Sequence, residues 1–217
     1  MRNREISKAV ISRLPRYYRY LGDLLNSGIE RISSGELSRL MKVTASQIRQ
    51  DLNNFGGFGQ QGYGYNVRHL RDEIGKILGL EQNHSMIIVG TGHLGKALAN
   101  YENFNRGSIH IVGLFDVREE VIGTKVKQIM VRSVEELPAF LSENNVEIAV
   151  LTLPKNNAKE IARVLVANGI RAIWNFAYTD LNLELPDDVI VENVHLSDSL
   201  MQLTYRLHAE ETTENEE

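Results

Sequence analysis

Three glycines and one aspartate carry the clearest chemistry in this sequence. They lie in and beyond Ile87-Ile88-Val89-Gly90-Thr91-Gly92-His93-Leu94-Gly95, an apolar run that opens into Gly-x-Gly-x-x-Gly and then a helical pattern. In a dinucleotide site the first glycine permits a tight turn. The second lets backbone approach a pyrophosphate where any Cβ would collide, and the third lets the helix pack against the strand. The helix start then offers free N–H groups and partial positive charge to the phosphates. A second apolar run, Ile109 to Phe115, ends at Asp116. A carboxylate there accepts hydrogen bonds from the ribose 2′- and 3′-hydroxyls and repels a 2′-phosphate, so the expected ligand is NAD(H) rather than NADP(H). Cofactor contacts are expected from Gly90, Thr91, Gly92, His93, Leu94 and Gly95, and from Asp116, Val117 and Arg118. The competing reading is a ligand-free glycine turn beside an ordinary exposed aspartate.

A second chemistry sits near the N-terminus. Gln47, Arg49, Gln50, Asn53 and Asn54 fall outside the apolar stripe of Ile48, Leu52 and Phe55. Arginine pairs with guanine, and asparagine or glutamine with adenine, in the major groove of DNA. Asp51 is the one acidic residue of this stretch, and its place in the pattern is near the inner side. Next comes Gly56-Gly57-Phe58-Gly59-Gln60-Gln61-Gly62-Tyr63-Gly64-Tyr65, aromatics alternating with glycines across a Gln-Gln tip. It fits a two-stranded wing whose tip, Gln60, Gln61 and Tyr63, reaches the DNA backbone or minor groove. A plain helical bundle and a glycine linker are the competing readings, but linkers rarely keep aromatics.

The elements that must hold these residues can be read from periodicity and caps. Ile6, Val10, Ile11 and Leu14 predict a helix up to Pro15, and Tyr17, Leu21, Leu24 and Leu25 a second ending near Gly28. Ser33-x-x-Glu36 and Thr44-x-x-Gln47 are capping boxes that start two short helices, and Ser46, in the second, is counted with the DNA-facing residues. Two such helices joined by a tight turn make a helix-turn-helix. Val67, Leu70, Ile74, Ile77 and Leu78 mark another helix. Beyond it strand and helix alternate. Strands are expected at Met86–Val89, Ile109–Phe115, Ile148–Leu153, Ala172–Asn175 and Val189–Val194, with helices at Lys96–Asn103, from Ser133 to Glu143 and Asn157–Asn168, and a turn near Gly123. The alternation predicts an α/β fold with a doubly wound parallel sheet. Ligands bind beyond the carboxyl ends of such strands, which adds Thr152, Leu153, Pro154, Asn175 and Phe176 to the cofactor residues.

Composition bounds the rest. There is no cysteine, which excludes disulfides and thiolate chemistry, and no stretch approaches a membrane span. With no signal-peptide pattern the protein is expected to be cytoplasmic, and no metal site is expected. The net charge of −4 hides an asymmetry: residues 1–80 hold 13 Lys+Arg against 7 Asp+Glu (+6), and residues 81–217 hold 11 against 21 (−10). The basic part is the candidate for a polyanion. Domains are expected at 1–80 (winged helix), 81–195 (Rossmann) and 196–209 (a helix with the stripe Leu196, Leu200, Leu203, Leu207), with a disordered acidic tail at 210–217. The terminal helix either folds on its own sheet or docks on a second subunit. An NAD-dependent oxidoreductase and a coenzyme A module are the alternatives, but about 137 residues after residue 80 leave no room for a substrate domain, and no histidine or lysine is placed as a proton donor.

Over nearly its full length the chain resembles the Rex family of redox-sensing transcriptional repressors. The resemblance rests on Arg13-Leu14-Pro15-x-Tyr17-Tyr18-Arg19, Ser46-Gln47-Ile48-Arg49-x-Asp51-Leu52, Gly62-Tyr63-Gly64-Tyr65, the glycine loop, Phe115-Asp116 and Trp174-Asn175-Phe176. It implies a homodimer with an N-terminal winged helix-turn-helix, an NAD(H)-binding Rossmann domain and a C-terminal domain-swapped helix. It implies a repressor, not an enzyme, that holds palindromic double-stranded operator DNA when NADH is scarce and is released when NADH binds. By the same resemblance Tyr101 matches a tyrosine that changes environment with NADH, and Arg13 an arginine at the domain junction, counted with the DNA-facing residues. Gln50 and Gln60-Gln61 stand where other members often carry basic residues, and His195 where many carry aspartate.

Overall fold

The computed structural model describes residues 6–56, 58–60, 63–105 and 108–214. The chain folds as two compact units, Met1–Gln82 and Asn83–Glu217.

In the first unit α1 (Lys8–Ile11) leads into α2 (Leu14–Asn26), with Pro15 in its first turn, where a missing N–H costs nothing. β1 (Arg31–Ile32) and α3 (Ser34–Met41) follow. Ser33 Oγ accepts from the Glu36 N–H, and Glu36 Oε2 accepts in return from the Ser33 N–H at 2.8 Å, so this capping box is complete. Lys42 turns the chain in the left-handed region (φ 52°), and α4 (Ala45–Asn53) starts under a Thr44 cap. The second capping box is only half made: Thr44 Oγ1 accepts from the Gln47 N–H, but the Gln47 amide reaches down α4 to Asp51 instead of back. A carboxylate one turn below is the stronger acceptor. β2 (Gly59–Gln60) and β3 (Gly64–Asn66) complete an antiparallel sheet in the order β1-β3-β2, and α5 (Val67–Ile77) packs back on α2. Leu14, Tyr17, Leu21, Leu37, Ile48, Leu52, Leu70 and Ile74 form the core. This is a winged helix-turn-helix.

The second unit opens with β4 (His84–Val89), then α6 (His93–Asn100), α7 (Glu102–Asn105) and β5 (Ile109–Asp116). β6 (Lys125–Val126) and β7 (Ile129–Ser133) form an antiparallel hairpin. A 3₁₀ turn over Val134–Glu136 runs into α8 (Leu137–Glu143), followed by β8 (Ile148–Leu151), α9 (Lys155–Ala167), β9 (Ala172–Asn175), β10 (Ile190–Asn193) and α10 (Leu196–Glu214). The sheet order is β10-β9-β8-β4-β5-β7-β6, parallel except for β6. Counted from β4, the strands without β6 follow the Rossmann order 3-2-1-4-5-6, whose direction reverses between β4 and β8. β4 is buried on both faces: Ile87 and Val89 meet α8 and α9, Met86 and Ile88 the side of α6.

Several expectations are corrected. The helix after the glycine loop starts at His93 rather than Lys96 and stops at Asn100, because Gly92 is itself the N-cap and Tyr101 turns extended (ψ 110°). The stretch near Gly123 is more than a turn: β7 pairs in parallel with β5. Its signal is weak because only Val131 of its five residues is buried. The C-terminal helix runs to Glu214, five residues beyond the expected 209. Three of the five added residues are glutamate, a good helix former, and each residue added to an existing helix gains one hydrogen bond.

Candidate functional site

β4 delivers the chain into the turn at Gly90, which has φ +100° and donates its N–H to the Phe115 carbonyl at 2.7 Å. A Cβ on Gly90 would stand 2.6 Å from the Thr152 carbonyl oxygen. One on Gly95 would fall well inside contact distance of the Gly90 carbonyl oxygen and 2.8 Å from Thr152 Oγ1. That hydroxyl donates to the Gly90 carbonyl at 2.6 Å, so β4, β8 and α6 lock together at the switch point. Gly92 is different. Nothing lies within 4 Å of the Cβ it lacks, and no side chain caps α6 behind it. Backbone N–H groups at the head of α6 and an open approach over Gly92 fit a pyrophosphate.

The open side is a cleft of about 570 Å³ bounded by Gly90 and Gly92, by Asp116–Arg118 and by Thr152–Pro154. Asn157, in the first turn of α9, also lines it and was not expected. Its signal was position alone, the helix start after the β8 carboxyl end. His93 and Leu94 head α6, exposed and half-buried, without lining the cleft, and Thr91 is buried beneath it.

Asp116 is not the free acceptor the sequence implied. Its carboxylate is buried and accepts from the Thr91 N–H (2.6 Å) and hydroxyl (2.7 Å), and from the Arg118 N–H (3.0 Å), Nε (3.1 Å) and Nη2 (3.0 Å). A carboxylate has about four lone-pair sites, so these five bonds saturate it. Burial alone would raise its pKa. The Arg118 side chain, then Thr91, outweigh burial and hold the carboxyl well below the usual range.

Asn175 and Phe176 do not line the cleft. The Asn175 amide is buried and spent on its own chain: it donates to the Thr179 carbonyl (2.7 Å) and Asn193 Oδ1 (2.8 Å) and accepts from the Ala177 N–H (3.0 Å). It ties the loop after β9 to β10, which withdraws it as a cofactor ligand. Tyr101, Phe104, Trp174 and Phe176 form a run of edge-to-face rings instead, with centroids 5.0, 6.0 and 4.6 Å apart. An apolar groove of about 310 Å³ lies beside them, lined by Ile148, Ile173 and Ile190 among others. Leu196, Leu200, Leu203 and Leu207 of α10 are all exposed. His195, just before α10, has a buried Nδ1 without a hydrogen-bond partner among the described residues and sits edge-on to Tyr178 at 5.5 Å.

In the first unit, Ser46, Arg49, Gln50 and Asn53 form one exposed stripe of α4, with Asn54 at its end. Arg49 donates to Ser34 Oγ at 3.0 Å, which steers it along the surface. Tyr63 is exposed at the wing. Gln60 lies on β2, and Gln61 lies outside the described residues. Two expected DNA contacts are corrected. Arg13 points inward, its Nε and Nη2 each 2.7 Å from an Asp51 oxygen. Gln47 donates to the same carboxylate at 2.8 Å, and the Tyr17 hydroxyl donates at 3.0 Å. Asp51 is fully buried, so its neighbours must turn toward it.

Burial opposes ionisation of Asp51, but Arg13, Gln47 and Tyr17 outweigh it and lower the pKa. For Tyr17, burial and then the bond to Asp51 raise it. Because the Asp51 value lies below its ordinary 3.8, its stabilising contribution is complete above 3.8 and is lost as pH falls through the folded value. Urea unfolding of the full chain from about pH 5 to about pH 3 is expected to weaken more steeply for wild type than for Asp51→Asn, which has no proton to bind there. Parallel curves would refute this.

Among the described residues no group of His, Asp and Glu forms a metal site, and no helix is long and apolar enough to cross a membrane.

Comparisons with known proteins agree with both units. Residues 5–53 match a family model described as putative DNA-binding protein N-terminus, and residues 81–179 one described as CoA binding domain. The redox-sensing transcriptional repressor Rex of Thermoanaerobacter pseudethanolicus is 53% identical over 207 residues, 95% of this chain and 92% of the relative. Among solved structures, RSP, a Rex-family repressor, in complex with β-NAD⁺ and operator DNA is 53% identical at TM-score 0.89, covering 97% of this chain and 96% of that one. RSP with β-NADH is 49% identical at TM-score 0.90, covering 98% and 99%.

Proposed function

This chain belongs to the Rex family of redox-sensing transcriptional repressors, and on that footing we propose that it holds palindromic operator DNA through α4 and the wing and releases it when NADH enters the cleft. The observation that carries this reading is that one chain has both surfaces. The exposed stripe of α4 is amide and guanidinium without a carboxylate, and the glycine loop leaves α6 uncapped above an open cleft. Ser46, Arg49, Gln50, Asn53 and Asn54 face the bases and phosphates, and the wing that carries Tyr63 takes the flanking groove. The loop N–H groups take the pyrophosphate, Asp116–Arg118 the adenosine ribose, and Thr152–Pro154 with Asn157 the far ribose. The dinucleotide is a regulatory ligand here; no hydride leaves it.

The exposed leucines of α10 and the apolar groove beside Trp174 support a homodimer made through the C-terminal helix, exchanged between subunits. Residues 1–80, 81–195 and the helix 196–214 are the working parts, in the cytoplasm where operator and nucleotide pool meet. A two-fold reader engages half-sites about one helical turn (~34–36 Å) apart, so a change in the spacing of the two α4 helices removes one from its groove. A coupling of about 1–3 kcal/mol weakens operator binding roughly 5–150-fold. NADH must prefer the released state, and NAD⁺ must discriminate poorly, for the ratio to be reported.

The test is fluorescence anisotropy of a labelled inverted-repeat duplex at fixed salt, with light scattering on the same sample. NADH is expected to release the duplex, NAD⁺ to leave it bound, and the mass to be twice that of one chain. Failure to bind any inverted repeat would overturn the reading of α4. Binding that ignores NADH would overturn the switch, and a monomer would overturn the role of α10.

A further inference from the structure

The dinucleotide reading treats the end of β5 as a carboxylate waiting for ribose hydroxyls, but the side chain facing the cleft there is a guanidinium. Arg118 turns Nε and Nη2 onto Asp116 at 3.1 and 3.0 Å, and its Nη1 stands 4.0 Å from Glu120 Oε1. Its side chain is 44% exposed while that of Asp116 is 3% exposed, so the cation lies outermost. The guanidinium has N–H groups to spare beyond the two given to Asp116, and their planar fork matches a phosphate. Thr91 holds Asp116 from below, which leaves the carboxylate neither bare nor turned to solvent.

This changes the reading of the 2′ position. A bare carboxylate accepts from a 2′-hydroxyl and repels a 2′-phosphate. The Asp116 carboxylate is offset by a guanidinium 3.0 Å away, and although the exposed Glu120 leaves the cluster one negative charge, the outermost group is a cation whose remaining N–H groups suit a phosphate. We infer that Arg118 sets discrimination at the adenosine 2′ position, and that it admits dinucleotides carrying a 2′-phosphate to the same cleft as NADH. The inference rests on the dinucleotide reading above. NADH binds by displacing the Arg118 fork from Asp116, and NADPH binds by keeping it.

The experiment is calorimetric titration of the full chain with NADH and NADPH at one ionic strength, for wild type, Arg118→Ala and Arg118→Lys. In wild type the two Kd values are expected within about tenfold of each other. In Arg118→Ala the NADPH/NADH ratio is expected to widen by about tenfold or more, as NADPH loses its partner and NADH gains free acceptor sites on Asp116. Arg118→Lys, which keeps charge without the fork, is expected to fall between. A ratio unmoved by both substitutions, or wild type that rejects NADPH at about a hundred times the NADH Kd, would overturn the inference and leave the dinucleotide reading standing. Wild type that fails to bind NADH would overturn both.

Discussion

Arg13→Ala is expected to cost about 3 kcal/mol of stability in the N-terminal unit, although the residue sits beside the DNA-reading helix and carries a charge. Removing it leaves the Asp51 carboxylate, 0% exposed, with only Tyr17 and Gln47. Breaking one side of a buried pair costs about 3–5 kcal/mol, and the 29% exposure of Arg13 puts this pair at the low end. The loss should appear as a lower urea midpoint at unchanged slope. Adding Asp51→Asn removes the stranded charge, so the double variant should cost less than the two singles summed, with a coupling of about 1–3 kcal/mol. Operator binding separates this positioning role from a DNA contact. A lost phosphate contact lowers the slope of log K against log salt by about one. Arg13→Ala, measured where it is folded, should keep the wild-type slope. A slope lower by one would return Arg13 to the DNA surface.

Gly92→Ala and Gly95→Ala are expected to fail in opposite ways. At Gly95 the added methyl meets the Gly90 carbonyl, with the Gly90 carbonyl carbon at 3.0 Å and Thr152 Oγ1 at 2.8 Å. The carbonyl is backbone and cannot step aside, so α6 must lift from β4, an overpacking that costs about 1–3 kcal/mol. Stability and dinucleotide binding fall together. At Gly92 the methyl meets nothing, and φ is −67°, which alanine adopts freely. Unfolding should stay within about 0.5 kcal/mol of wild type, while NADH affinity drops at least about a hundredfold, or roughly 2.7 kcal/mol. Gly92→Ala is thus expected to stay on the operator at NADH concentrations that release wild type. NADH binding at wild-type strength in Gly92→Ala would mean that the pyrophosphate does not cross that residue. Normal folding of Gly95→Ala would mean that the helix–strand approach is looser than it stands.

Local features of the fold were legible in the sequence, and pairings across it were not. Ser33 with Glu36, the Gly90–Gly95 spacing and the apolar run ending at Asp116 each state their geometry within a few residues. The Arg13–Asp51 pair spans 38 residues and exists only once α2 lies on α4. Position on the inner side of α4 was readable for Asp51, but not the partners that turn Arg13 and Gln47 inward. Asp116 is similar. Its place at a strand end was readable, but its saturation by Thr91 and Arg118 depends on how the glycine loop bends back over β5. Asn175 misled for the converse reason. It stands at a strand's carboxyl end, where ligands bind, yet its amide is consumed by the loop it anchors. The β6–β7 hairpin escaped because a short edge element buries too little to leave a period.

The chain has a single tryptophan, Trp174 of β9. It is held edge-on by Phe104 and Phe176 and forms part of the wall of the apolar groove. Its ultraviolet emission therefore comes from one known address. Anything that settles into that groove strips water from this indole and from no other, and registers as a blue shift without a dye. The reduced nicotinamide ring absorbs where tryptophan emits, so quenching of that emission counts loaded clefts in the same cuvette. The molecule carries an optical gauge of whatever fills the groove and of whatever fills the cleft.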